Sequence, residues 1–164
     1  MLNLTKVFAD EGSVSFDFGL DLSDLDFYGV CPFPTPIAVN GTVENFAGIV
    51  LLKATAQFVF SAPCDRCAER VETTNTLVFE HVVVTDVEDE ENDGFVIAEQ
   101  MQLDVEELLR DDLVLWVPSK VLCSDDCKGL CDQCGINLNH GNCDCHKKTV
   151  DPRLAALGSL LNND

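Results

Sequence analysis

Apolar and polar residues alternate along most of this chain with the two-residue period of half-buried strands, and then change to the period of a helix. Ser13-Val14-Ser15-Phe16-Asp17-Phe18 is the first such run and predicts a strand over 13–18. Asp21 to Asp26 reads as a loop or short turn. In Cys31-Pro32-Phe33-Pro34-Thr35-Pro36 the three prolines cannot donate to a ladder, so this segment leads into a strand from an edge. Ile37, Val39, Gly41 and Val43 then face one way and Asn40, Thr42 and Glu44 the other, which is a second strand. The longest alternation follows: Val50, Leu52, Ala54, Ala56, Phe58 and Phe60 share one face, with Lys53, Thr55 and Gln57 opposite. Its partner runs from about Val71 to Val84, where Val71, Leu77 and Phe79 alternate with Glu72, Thr74, Thr76 and Glu80. Ala62 to Glu69 is therefore the tip of a β-hairpin. Phe95-Val96-Ile97 returns briefly as a strand.

The period changes at Asp104. Val105, Leu108, Leu109 and Leu113 share one helical face, Glu106, Glu107 and Asp111 point away, Asp104 is the N-cap and Pro118 closes the run. Leu115 and Trp116 are expected to anchor this helix on the sheet. Near the end, Asp151-Pro152-Arg153 opens a short final helix with Leu154, Leu157 and Leu161 as its stripe. The fold class that follows is α+β: a mainly antiparallel sheet or partly open barrel with one packed helix and a cysteine-rich, zinc-binding C-terminal module. Residues 1–120 are read as the β-rich core domain and 121–164 as the module.

Composition adds a constraint on partners. With 46% apolar residues among 164 there is ample material for a core. Ten basic residues stand against 29 acidic ones, a formal charge of −19. Such a surface repels phosphate, disfavours broad nucleic-acid binding and suits a basic protein partner. The carboxylates at Asp86, Glu88, Asp89, Glu90, Glu91 and Asp93 read as a solvated loop without chemistry. No apolar run approaches the ~20 residues that span a bilayer. Met1-Leu2-Asn3-Leu4-Thr5-Lys6 lacks the apolar core of a signal peptide, so a soluble protein in a reducing cytoplasm is expected.

The candidate chemistry is thiol chemistry. Six of nine cysteines fall between Cys123 and Cys145, and Cys64 and Cys67 form a separate pair at the hairpin tip. Eight thiols make two complete Zn(Cys)4 sets, because structural zinc takes thiolates in a closed tetrahedron. In Cys131-x2-Cys134-Gly135 the intervening residues let both sulfurs face one point, and the glycine can take positive φ. Cys131, Cys134, Cys143 and Cys145 are read as a local site. Cys64, Cys67, Cys123 and Cys127 are read as a long-range site that clips the tail onto the first domain. Disulfides fit a reducing compartment poorly. A redox Cys-x-x-Cys calls for a helix-opening motif that the hairpin tip does not offer. Spacing leaves iron–sulfur ligation open, although the ferredoxin ending Cys-Pro is absent. Cys31 reads as a small core residue and His81 as a residue of the core margin. His140 and His146 flank the last cysteines and read as surface residues that either could exchange for a thiolate ligand.

Cys64-Asp65-Arg66-Cys67, the helix from Leu103-Asp104-Val105 to Leu113-Val114-Leu115, Cys123-x3-Cys127-Lys128-Gly129-Leu130-Cys131-x2-Cys134-Gly135-x-Asn137-Leu138-Asn139 and Asp151-Pro152-Arg153-Leu154-Ala155-Ala156-Leu157 together resemble the YceD-like family, also called DUF177, the large ribosomal RNA subunit accumulation proteins. The resemblance spans roughly residues 10–161. It implies a cytoplasmic, non-enzymatic factor for 23S rRNA accumulation or processing and large-subunit assembly. The implied partners are a ribosomal protein, an assembly factor or a pre-50S particle. The acidity favours protein contacts, with any RNA contact confined to the module around Lys120, Lys128, Lys147, Lys148 and Arg153. The competing expectations are a thiol–disulfide oxidoreductase, a zinc-dependent hydrolase, and a nucleic-acid mimic that occupies basic clefts.

Overall fold

The computed structural model describes residues 1–9, 12–86 and 94–145. The predicted final helix, its leucine stripe, His146, Lys147, Lys148 and most of the acidic run lie outside them. In chain order the elements are β1 (Leu2–Asn3), α1 (Thr5–Ala9), β2 (Ser13–Leu20), β3 (Ile37–Phe46), β4 (Ile49–Pro63), β5 (Arg70–Val84), β6 (Phe95–Ile97), β7 (Gln102–Leu103) and α2 (Val105–Trp116), with a 3-10 turn over Glu99–Met101.

Strands β2 to β6 form one sheet in sequence order, while β1 pairs with β7 in a small second ladder. All pairings of the large sheet are antiparallel except β5 with β6, which is parallel over Val82–Val84 and Phe95–Ile97. The sheet does not close on itself, so of the two predicted architectures the open sheet is the one realised.

All six residues assigned to the inner face of β4 are buried, from Val50 at 2% exposure to Phe60 at 4%. They meet Val105, Leu109 and Leu113 of α2 in one core. Asp104 caps this helix by accepting the N–H groups of Glu106 and Glu107, each at 3.2 Å. That contact satisfies two donors the first turn leaves orphaned. Trp116 anchors the end of α2 edge-on to Phe58 and Phe60, with ring centroids 5.1 and 5.5 Å away. Leu115, expected to share that role, is 84% exposed. One step along a helix is about 100° of rotation, so with Trp116 turned to the sheet its neighbour faces outward.

Phe33 is fully buried and stacks edge-on against Phe58 and Phe60. The Ser61 N–H donates to the Pro32 carbonyl at 2.9 Å. These contacts fix the proline-rich loop and correct a second expectation: Cys31 is exposed, not a core residue. Pro32 and Phe33 are the residues of this loop that turn inward, and Cys31 stays outside. His81 does lie at the core margin, half-buried, where its Nε2 meets Asp112 Oδ2 of α2 at 2.7 Å.

Candidate metal centre

Strands β4 and β5 pair continuously up to Pro63 and Arg70. At their tip the chain makes a tight turn in which Cys64 N–H donates to Glu69 O at 2.8 Å and Ala68 N–H donates to Cys64 O at 2.9 Å. Both sulfurs thus project beyond the last rung of the ladder. The second Cys-x-x-Cys repeats this turn: Cys131 N–H donates to Ile136 O at 2.8 Å and Gly135 N–H to Cys131 O at 2.9 Å.

Two groups of four thiols result. Cys64, Cys67, Cys123 and Cys127 have all their sulfurs within 4.8 Å of one another, and so do Cys131, Cys134, Cys143 and Cys145. This is the grouping read from the sequence. Within the groups, Sγ–Sγ separations are 3.8 Å for Cys64 and Cys127, 3.6 Å for Cys67 and Cys123, and 3.4 Å for Cys143 and Cys131. A disulfide bond measures about 2.05 Å, and all nine cysteines are free. A tetrahedral ion with Zn–S bonds near 2.3 Å has S–S edges of about 3.8 Å. The spacing therefore fits four sulfurs around one ion, and either group can hold a metal.

Cys64, Cys67 and Cys127 are buried together with support from Val71 and Leu122, a small apolar cluster separate from the main core. Cys131 is also buried, whereas Cys123 and Cys134 are exposed and Cys143 and Cys145 lie between. Burial pushes the Cys64 thiol up, but the backbone N–H groups of Arg66, Cys67 and Cys123 outweigh it and bring Cys64 down to about 6. The Cys134 and Gln133 N–H groups likewise hold Cys131 at about 6. In Cys67 the pull of the Glu69 backbone is overcome by burial and by the neighbouring sulfurs, which push it up to about 12. Cys145, facing Cys134, is also pushed up to about 12. Adjacent thiolates repel one another, so ionisation of one member of a cluster disfavours ionisation of the next.

Several residues without an assigned role in the sequence reading hold the tail to the hairpin. Asp65 N–H donates to Val121 O at 2.9 Å while its Oδ2 accepts Val121 N–H at 2.7 Å. The Arg66 guanidinium donates to the carbonyls of Asp125 and Cys127 at 3.1 and 2.9 Å, and Arg66 O accepts Leu130 N–H at 3.1 Å. Gly129 sits against Arg66, where an added Cβ would come within 3.0 Å of the Arg66 carbonyl. Asn139 donates from Nδ2 to Cys127 Sγ at 3.2 Å. His140 is an exposed partner of Glu69 rather than a member of either thiol group. The sequence carried no signal for these contacts, because Asp65 and Arg66 read as ordinary solvated residues of a hairpin tip and their partners lie more than fifty residues away.

An open sheet whose longest hairpin ends in one of two matched cysteine turns, with four-thiol clusters on both, defines a β-rich protein with two groups of thiols able to hold a metal ion. The chain belongs to the YceD family, whose model, described as "Large ribosomal RNA subunit accumulation protein YceD", matches residues 52–161. It is 26% identical to the chloroplastic "Large ribosomal RNA subunit accumulation protein YCED homolog 1" of Arabidopsis thaliana, across 79% of this chain and 50% of that protein. It is 27% identical to the uncharacterized protein YlbN of Bacillus subtilis, across 79% of this chain and 77% of that one. An uncharacterized protein of Mycobacterium tuberculosis is 33% identical across 73% of this chain and 59% of its own length. The chain thus spans only about half of the plant relative. No solved structure matches the chain significantly. Among the described residues no helix is long and apolar enough to cross a membrane.

Proposed function

We propose that this protein is a non-enzymatic cytoplasmic factor that supports accumulation and processing of 23S rRNA during large-subunit assembly, with two structural zinc ions bracing its partner-binding surface. The ligands are Cys64, Cys67, Cys123 and Cys127 for one ion and Cys131, Cys134, Cys143 and Cys145 for the other. The observation that carries the reading is that each cluster supplies four sulfurs. Four thiolates saturate a tetrahedral ion, whereas a catalytic zinc keeps one position open for water. Family membership supplies the ribosomal context. The formal charge of −19 supports a basic ribosomal protein or assembly factor as the direct partner, in preference to bare RNA.

A thiol oxidoreductase would draw on the lowered Cys64. A nucleophilic thiol has to be reached, however, and Cys64 and Cys67 are 2% and 4% exposed. Depletion of the protein followed by profiling of ribosomal particles tests the assembly role. The expected result is a deficit of large subunits with immature rRNA ends, and normal levels of both overturn it. Elemental analysis of protein purified without added metal tests the zinc assignment, with two ions per chain expected.

A further inference from the structure

The two thiol clusters are joined by a short relay. Asn139 belongs to the segment between Cys134 and Cys143, inside the local cluster's own loop, yet its Nδ2 donates to Cys127 Sγ of the long-range cluster at 3.2 Å. Its Oδ1 accepts Lys128 N–H at 2.8 Å, and its own N–H is held by Asn137 Oδ1 at 2.9 Å. Leu138 N–H donates to Gly129 O at 2.9 Å, and His140 Nε2 reaches Glu69 of the hairpin. One loop therefore closes the local cluster while its side chains brace the long-range one.

We infer that the two centres load metal cooperatively, with Asn139 as the positioning residue that couples them. This inference rests on the zinc reading above. A hydrogen bond to a metal-bound thiolate is charge-assisted and stronger than one to a neutral thiol. Filling the long-range centre thus tightens the bond from Asn139 to Cys127 and pins the loop that carries Asn139. Pinning that loop holds Cys134 and Cys143 at the spacing the local centre requires. By linkage the reverse holds equally: an ion in the local centre fixes Asn139 where Cys127 needs its donor. Outer-shell donors of this kind alter metal affinity by about ten- to a hundredfold when removed.

The test is titration of the reduced, metal-free full chain with Co2+, following thiolate-to-metal absorption, with native mass spectrometry counting zero-, one- and two-metal forms. For two independent sites the one-metal form makes up at least half of the population at half saturation, whatever their affinities. The expected result for the wild type is a one-metal form well below half. In Asn139→Asp the acceptor for Lys128 is kept and the donor to sulfur is lost. This variant should raise the one-metal form to half or more and shift the charge-transfer band of the long-range centre. Cys143→Ser should weaken the remaining centre about tenfold. A wild-type one-metal fraction of half or more overturns the coupling while leaving zinc binding intact. An Asn139→Asp protein with unchanged populations and spectrum overturns the role of that residue. A chain that takes up no metal at all sinks both this inference and the reading beneath it.

Discussion

Ala68 occupies in the first cysteine turn the place that Gly135 occupies in the second. Each lies four residues after the leading cysteine and donates its N–H to that residue's carbonyl at 2.9 Å, and each has positive φ, 59° for Ala68 and 74° for Gly135. A left-handed backbone costs a residue with a Cβ about 1–2 kcal/mol, and glycine almost nothing. The hairpin turn therefore carries a strain that its counterpart avoids.

Substitution should reveal this directly. Ala68→Gly is expected to gain roughly 0.5 kcal/mol, the relieved strain less the extra freedom glycine has when unfolded. Gly135→Ala has open space around its new Cβ and should lose about 1 kcal/mol from backbone strain alone. Denaturant titration of the two variants measures both, and a loss of stability in Ala68→Gly would contradict the account.

Gly129→Ala should be the more damaging glycine substitution. Its φ is +74°, and the added methyl meets the Arg66 carbonyl, a backbone atom that cannot swing aside. A cost of about 2 kcal/mol or more is expected. The site lies on the joint between tail and hairpin, so limited proteolysis should cut the tail sooner in this variant. A cleavage rate equal to that of the wild type would show that the joint tolerates the methyl.

Chelation should separate the two parts of the molecule. The main core, from Leu4 to Leu113, contains no cysteine, whereas Cys64, Cys67 and Cys127 form their own small cluster. With a strong chelator present, the far-UV strand signal is expected to persist while residues 121–145 become open to protease. Loss of the strand signal together with the metal would mean that the sheet itself depends on the ions.

Metal uptake should be driven by rising pH. Cys67 and Cys123 in one cluster and Cys143 and Cys145 in the other are pushed above the ordinary thiol range, so all four carry protons at pH 7. Ligands bind as thiolates, so each centre must release at least two protons on loading. Affinity then increases with pH and falls on acidification. Calorimetry in buffers of different ionisation heat counts the protons, and a release below two per centre would refute the assignment of those states.

Much of this architecture was legible in the chain because it is written in local periods. The six inner residues of β4 were readable from alternation, and α2 from its stripe and from Asp104. The cysteine grouping was readable because each Cys-x-x-Cys turn fixes its own pair, leaving few ways to complete two fours. What escaped was non-local or too short. β1, β7 and the five-residue α1 are too short to repeat their period, and the parallel pairing of β6 depends on where the chain returns. Leu115 misled because its neighbour Trp116 takes the inward position, and Cys31 because the Pro32 and Phe33 that follow it do. Asn139 and Arg66 reach partners 12 and 61 residues away, and only the closed tail brings those atoms together.

The pairing of β3 with β4 ends at Gln57, so the two longest strands run on from Phe58 to Pro63 and from Arg70 to Asn75 as a two-stranded ribbon. Six residues of strand span about 20 Å, and two-stranded ribbons twist more than wide sheets do. Its inner face is held by the main core: Phe58, Phe60 and Ala62 are buried there, Phe33 and Trp116 pack edge-on against the two phenylalanines, and Ser61 N–H donates to Pro32 O. The cysteine turns thus stand at the end of an arm whose inner face is packed onto the body along its length. A load placed on the tip is therefore carried through that packing into the body rather than absorbed at a free joint.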